Sequence, residues 1–110
     1  AGGQTYYFKI PDEMEQSIYV PILKAPENYA SCDKSPKLLW VKMDDYNKTN
    51  YRLQISANTS FKSILIDTTI ADNFYQTDIP KKETKYYWRV CSSKIWGASP
   101  WSEVWSFTVK

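Results

Sequence analysis

Lys85-Tyr86-Tyr87-Trp88-Arg89-Val90 alternates Tyr86, Trp88 and Val90 with Lys85, Tyr87 and Arg89. β-branched and aromatic types at a period of two are the pattern of a half-buried strand. The same alternation recurs downstream, where Trp105, Phe107 and Val109 interleave with Ser106 and Thr108 in a last strand from Val104 to Val109. Upstream, Tyr51-Arg52-Leu53-Gln54-Ile55-Ser56 places Tyr51, Leu53 and Ile55 inside and Arg52 and Gln54 outside. Lys37-Leu38-Leu39-Trp40-Val41-Lys42 reads as a strand with Leu38 and Trp40 inward, and Tyr75-Gln76-Thr77-Asp78-Ile79 as one that stops at Pro80. Phe61-Lys62-Ser63-Ile64-Leu65-Ile66-Asp67 is short enough to be either a strand or a helical turn.

The segments between these runs carry turn chemistry. Asp44-Asp45-Tyr46-Asn47-Lys48-Thr49-Asn50 and Asn58-Thr59-Ser60 are polar turns, and Ser31-Cys32-Asp33-Lys34-Ser35-Pro36 has the composition of a loop. Ile18-Tyr19-Val20-Pro21-Ile22-Leu23 is β-rich, but Pro21 cannot donate to a ladder, which restricts this run to an edge strand or a strand entry. Residues 1–25 are therefore expected to be an N-terminal linker or an added edge strand, with Tyr6-Tyr7-Phe8-Lys9-Ile10 as a short strand followed by a turn at Pro11. Residues 26–110 are expected to form one all-β sandwich of about seven strands in two sheets. Its expected core is Leu38, Trp40, Tyr51, Leu53, Ile55, Tyr75, Ile79, Tyr86, Trp88, Val90, Trp105 and Phe107.

Composition narrows the function classes. The 110 residues suit one domain able to bury roughly 65% of its unfolded surface, so no metal or disulfide is needed to fold it. The 14 basic and 12 acidic residues are well mixed, and the net charge of +2 gives no basic stripe of the kind nucleic acids require. No apolar run approaches the ~20 residues of a membrane span. With no histidine in the chain, a Ser–His triad and histidine metal sites are both ruled out. Three glycines cannot build a phosphate-cradling loop. The acidic clusters Asp44-Asp45 and Asp12, Glu13, Glu15 lie in turns, where such residues serve turn geometry, and nothing pairs them across a cleft. No cofactor, metal or catalytic residue is expected. Cys32 and Cys91 lack metal-site spacing, and alternation along Lys85–Cys91 points Cys91 out of the sandwich, so both thiols are expected to be free. Asn47-Lys48-Thr49 and Asn58-Thr59-Ser60 match the glycosylation acceptor pattern, and neither is expected to be used.

From Pro26 to Lys110 the chain resembles a fibronectin type III module of the immunoglobulin-like β-sandwich class. The resemblance rests on Leu38 and Trp40, Tyr51-Arg52-Leu53, Ile79-Pro80 with Thr84-Lys85-Tyr86, Trp88-Arg89-Val90, Gly97-Ala98-Ser99, and Trp101-Ser102-Glu103 leading to Trp105-Ser106-Phe107-Thr108. The ending is like that of modules in microbial extracellular and surface proteins. The resemblance implies that Tyr86 is a tyrosine corner bonded to the backbone a few residues upstream. It implies a non-catalytic, monomeric module of a larger extracellular or cell-surface protein, acting as a spacer and protein–protein interaction domain, with another protein or neighbouring domains of the same chain as partner. No Arg-Gly-Asp occurs, so integrin binding has no support.

Two constellations stand out. Trp101-Ser102-Glu103-Val104-Trp105-Ser106 resembles the Trp-Ser-x-Trp-Ser box of cytokine receptors, in which strand arginines stack between the tryptophans, but one extra residue separates the pairs. Trp101 and Arg89 are expected to stack as a cation–π brace. Tyr87, Trp96 and Trp101, with Arg89, form the candidate binding surface around the last hairpin. Flat rings suit either a protein interface or a sugar face. The alternatives to a spacer are accordingly a carbohydrate-binding or accessory module of a glycan-active protein, and a cytokine-receptor-like domain.

Overall fold

The computed structural model describes residues 19–42, 49–79, 83–95 and 97–110. The expected strand at Tyr6–Ile10, the Asp12–Glu15 and Asp44-Asp45 clusters, Asn47 and Trp96 lie outside the described residues. Among these residues nine strands form: β1 (Leu23–Ala25), β2 (Ala30–Cys32), β3 (Lys37–Trp40), β4 (Asn50–Ser56), β5 (Ile64–Ile70), β6 (Phe74–Gln76), β7 (Thr84–Lys94), β8 (Gly97–Ala98) and β9 (Trp105–Val109). The small sheet has the order β1-β3-β6, and the large one β2-β9-β7-β4-β5 with β8 paired to β7. The β4–β5 hairpin is inserted between β3 and β6, so the chain leaves the small sheet, builds two strands of the large one and returns. Two sheets with apolar inner faces must bury them against each other, which makes a sandwich.

The core lies where alternation places it. Leu38, Trp40, Tyr51, Leu53, Ile55, Trp88, Val90 and Phe107 are wholly buried. Trp40 on the small sheet meets Tyr51 and Trp88 on the large sheet at ring-centroid distances of 5.6 and 6.4 Å, which ties the layers together. Trp105 packs edge-on against Trp88 at 6.3 Å, and Tyr86 lies on Phe107 at 5.8 Å. Each large side chain buried in this way contributes about 1.5–3 kcal/mol. Tyr75 and Trp105 are only half-buried against the cluster, and Leu23 and Val109 join it.

Several elements differ from the sequence expectation. The run around Pro21 becomes a strand only from Leu23, because the proline N lacks a hydrogen to give to a ladder. Ala30–Cys32, read as part of a loop, pairs in parallel with Phe107–Val109. Main-chain bonds hold this short strand, so its side chains show no periodicity. The run around Ile64 is a strand, antiparallel to β4, with Ile66, Thr68 and Ile70 opposite Ile55, Leu53 and Tyr51. The sixth strand covers Phe74–Gln76 rather than extending to Ile79. Thr77 instead turns to Pro36, donating both its amide (3.2 Å) and its hydroxyl (2.6 Å) to that carbonyl.

Both cysteines are free thiols. Cys32 lies opposite Val109, which lies opposite Thr84 on its other side, while Cys91 is seven residues further along β7. That places them about 23 Å apart along the strands, far beyond the ~7 Å a bridge allows. Cys91 does face outward from the sandwich, yet it is only 6% exposed because other side chains cover it.

Candidate functional site

The outer face of the large sheet gathers residues the sequence keeps apart. β-Pairing sets Arg89, Gln54 and Asp67 in one transverse row and Cys91, Arg52 and Thr69 in the next. Arg52 grips Asp67 with two bonds, Nε to Oδ1 at 2.9 Å and Nη2 to Oδ2 at 2.8 Å. Gln54 Nε2 donates to the same carboxylate at 3.0 Å, and Gln54 Oε1 accepts from Arg89 Nε (3.0 Å) and Nη2 (2.7 Å). Gln54 thus links the second guanidinium to the carboxylate. It points outward as its alternation demands, but the two arginines and the carboxylate bury it to 5% exposure. The bonds from Arg52 hold the Asp67 carboxyl well below the usual range, at about 2. Partial burial pushes the Arg89 guanidinium down.

Aromatic rings close over this network. The Arg89 guanidinium lies 4.2 Å from the Trp101 ring centroid and 4.0 Å from that of Phe61, and Arg52 lies 5.5 Å from Trp101. Contacts of this kind are worth about 0.5–1 kcal/mol when exposed and about 2 kcal/mol when desolvated. Phe61 reaches its place from a turn that Asn58 organises: Asn58 Oδ1 accepts from Ser56 Oγ, Ser60 Oγ and the Lys62 amide at 3.1–3.2 Å. Phe61 itself has φ of 56°, a left-handed conformation unfavourable for a residue with a Cβ, while its ring is buried.

Trp101 is held by a segment that runs alongside β7 without being a strand. The Ser99 amide donates to the Ser92 carbonyl (2.8 Å) and the Ser92 amide donates to Ser99 Oγ (3.0 Å). Three residues on, the Ser102 amide donates to the Val90 carbonyl (2.8 Å) and the Val90 amide donates to Ser102 Oγ (2.9 Å). Serines three apart thereby satisfy strand residues two apart. The extra residue noted in Trp101–Ser106 now has an explanation. The pentapeptide with Trp-Ser-x-Trp-Ser spacing is Ala98-Ser99-Pro100-Trp101-Ser102, with alanine in the first tryptophan's place. Trp105-Ser106 belongs instead to β9, with Trp105 turned towards Trp88.

Of the residues singled out from sequence, Arg89 and Trp101 meet directly, and Tyr87 lies one alternation step along β7 on the same face. Tyr87 pairs across with Ser56 and Ser106, and Lys85 Nζ sits 5.6 Å from its ring and 5.5 Å from that of Tyr29. Phe61, Arg52, Gln54, Asp67 and Tyr29 were not anticipated in this arrangement. The outward alternation of Arg52 and Gln54 was the only signal for any of them.

The sandwich has counterparts among solved structures. A domain of human fibronectin type III domain containing protein 3 superposes with a TM-score of 0.64 at 23% identity, covering 86% of this chain and 87% of that one. The chain has the fibronectin type III fold. A second fibronectin type III-like protein, from Clostridium thermocellum, matches with a TM-score of 0.61 at 15% identity over 86% of this chain and 96% of the other. The fold also occurs inside larger proteins: a β-1,2-glucanase from Parabacteroides distasonis matches with a TM-score of 0.59 at 20% identity over 86% of this chain but only 13% of the glucanase. No protein-family model and no curated protein matches the sequence. Tyr86, for which the resemblance implies a tyrosine corner, is buried at 2% exposure.

Proposed function

We propose that this chain is a non-catalytic module of a larger extracellular or cell-surface protein, serving as a spacer and protein–protein interaction domain. The observation that supports the proposal is the placement of the first described residue, Tyr19, relative to the last strand. Ser92 donates its hydroxyl to the Tyr19 carbonyl near one end of β7, whereas Val109, next to the C-terminal residue Lys110, pairs with Thr84 at the other end. Eight residues of strand separate Ser92 from Thr84, about 26 Å. Tyr19, the first described residue, and Val109 therefore sit at opposite ends of β7, a placement that suits in-line connection between neighbours. The outer face of the large sheet is the surface offered to a partner, through Tyr87, Arg89 and Trp101; Trp96, also singled out from sequence, lies outside the described residues.

A second reading, an accessory module beside a glycan-active domain, draws support from the same fold within the β-1,2-glucanase. Direct stacking of sugars draws less, because Arg89 already lies against the Trp101 ring.

The test is a domain exchange in the parent protein. Residues 19–110 are deleted, or replaced by an unrelated fibronectin type III domain of equal length. A spacer predicts impaired function on deletion and recovery on replacement. A deletion without effect rejects the spacer role. A folded replacement that fails to restore function also rejects it and moves the weight to a specific interaction surface.

A further inference from the structure

The edge of the large sheet at β5 is unlike the other edges. Strands β1, β2 and β6 are three residues long, whereas β5 has seven. It contains no proline, glycine, lysine or arginine, the residues that usually protect an exposed edge. Its register with β4 slips at the start, where Ile55 faces Ile66 and Ser56 faces Ile64, leaving Leu65 as the extra residue of a bulge. Beyond the bulge, Ile66-Asp67-Thr68-Thr69-Ile70 is regular. Its far side has no strand partner among the described residues.

This five-residue edge is complementary to itself. An antiparallel copy related by a two-fold axis at Thr68 sets Ile66 opposite Ile70, Asp67 opposite Thr69, and Thr68 opposite its own counterpart. Ile66, Thr68 and Ile70 share the inner face and are each half-buried, so every inner pair matches β-branched side chains. On the outer face, the Thr69 hydroxyl of one copy faces the Asp67 carboxylate of the other. That carboxylate is already neutralised by Arg52. An axis at Asp67 instead opposes two carboxylates directly, which is unfavourable. The same two-fold also sets the exposed Leu65 opposite Ala71 of the other copy.

We propose that β5 is a self-association edge, through which two copies of this chain join their large sheets into one continuous sheet with the axis at Thr68. This departs from the monomeric module expected from sequence and is independent of the spacer assignment. The five-residue pairing makes a small interface, so a weak dimer is expected, populated as the concentration rises towards about 1 mM.

Sedimentation equilibrium over a concentration series tests it, together with amide hydrogen exchange. The expected result is a concentration-dependent dimer in which exchange slows at alternate amides of Ile66–Ile70, those directed away from β4. Thr69→Glu, at an exposed position beside Arg52, sets Glu against Asp67 of the other copy and should return the protein to monomer with unchanged thermal stability. A protein that stays monomeric at the highest concentration overturns the proposal. So does a dimer that survives Thr69→Glu, or one that leaves exchange along β5 unchanged. The exchange measurement decides the matter even if the variant folds poorly.

Discussion

Val90 and Ser102 exchange two hydrogen bonds, the Val90 amide to Ser102 Oγ at 2.9 Å and the Ser102 amide to the Val90 carbonyl at 2.8 Å. A side-chain oxygen here substitutes for a ladder carbonyl on a strand buried at the domain centre. Ser102→Ala removes the acceptor and leaves the Val90 amide unpaired. The expected cost is about 1–3 kcal/mol, read as a lower urea midpoint. Threonine, which keeps the hydroxyl, should recover most of it. A change below about 0.5 kcal/mol, typical of a surface substitution, would show that water satisfies the amide equally well.

The Arg89–Trp101 stack should behave as a coupled pair. A double-mutant cycle with Arg89→Ala and Trp101→Ala is expected to return a coupling of about 0.5–2 kcal/mol. Arg89→Lys should lose part of it, since an ammonium cannot lie flat on the ring or give the two forked hydrogen bonds to Gln54 Oε1. Additive single-mutant losses would mean that the two residues merely lie near each other.

Trp88 is fully buried and touches both Trp40 and Trp105. Trp88→Ala should cost about 3–5 kcal/mol, enough to unfold a marginal domain of this size. Chemical denaturation and the loss of dispersed amide resonances would report it.

Asp67 gives the protein an acid-sensitive contribution. Its carboxyl is held at about 2 by the bonds from Arg52, below the ordinary value of 3.8. Between these values the unfolded chain binds the proton and the folded chain does not. Stability from this group is thus present above about pH 4 and lost as the pH falls towards 2. Because the pair is more than a third exposed, solvent screening reduces its size. The wild-type melting temperature should fall more steeply over this window than that of Asp67→Asn, and parallel curves would remove Asp67 from the account.

The two thiols should react at different rates. Burial raises both above the ordinary cysteine value, and Cys91 is the more deeply covered. A thiol reagent should label Cys32 in the native protein and Cys91 only on unfolding. Equal rates would mean that the cover over Cys91 opens readily.

The sequence shows side chains, not pairing partners, and this separates what was legible from what was not. Tyr51, Leu53 and Ile55 alternate strictly because one side of β4 is apolar core, so their inward placement followed from period alone. Ala30–Cys32 pairs through its backbone, and nothing in three small residues reports that. Arg52 and Asp67 are fifteen residues apart in the chain, and only the β4–β5 register brings them together. Phe61 sits in a loop whose left-handed residue is set by Asn58 rather than by any hydrophobic pattern. Arg89 and Trp101 could be paired in advance because a likeness of motif connected them, yet the spacing of that motif begins three residues earlier, at Ala98. The serines that define it bond to the neighbouring strand, and no periodicity marks them.

The parallel pairing of β2 with β9 has a mechanical consequence. β2 follows β1 and runs in the same direction as β9, and the Lys110 amide donates to the Cys32 carbonyl at 2.8 Å. Opposed pulls on the start of β2 and the end of β9 draw these parallel strands past each other along their length, so their cross-strand bonds are loaded together, in shear. Strands peeled from one end would instead lose them one at a time. The β2–β9 pair therefore resists lengthwise displacement, and any slip of β9 also draws Trp105 away from Trp88.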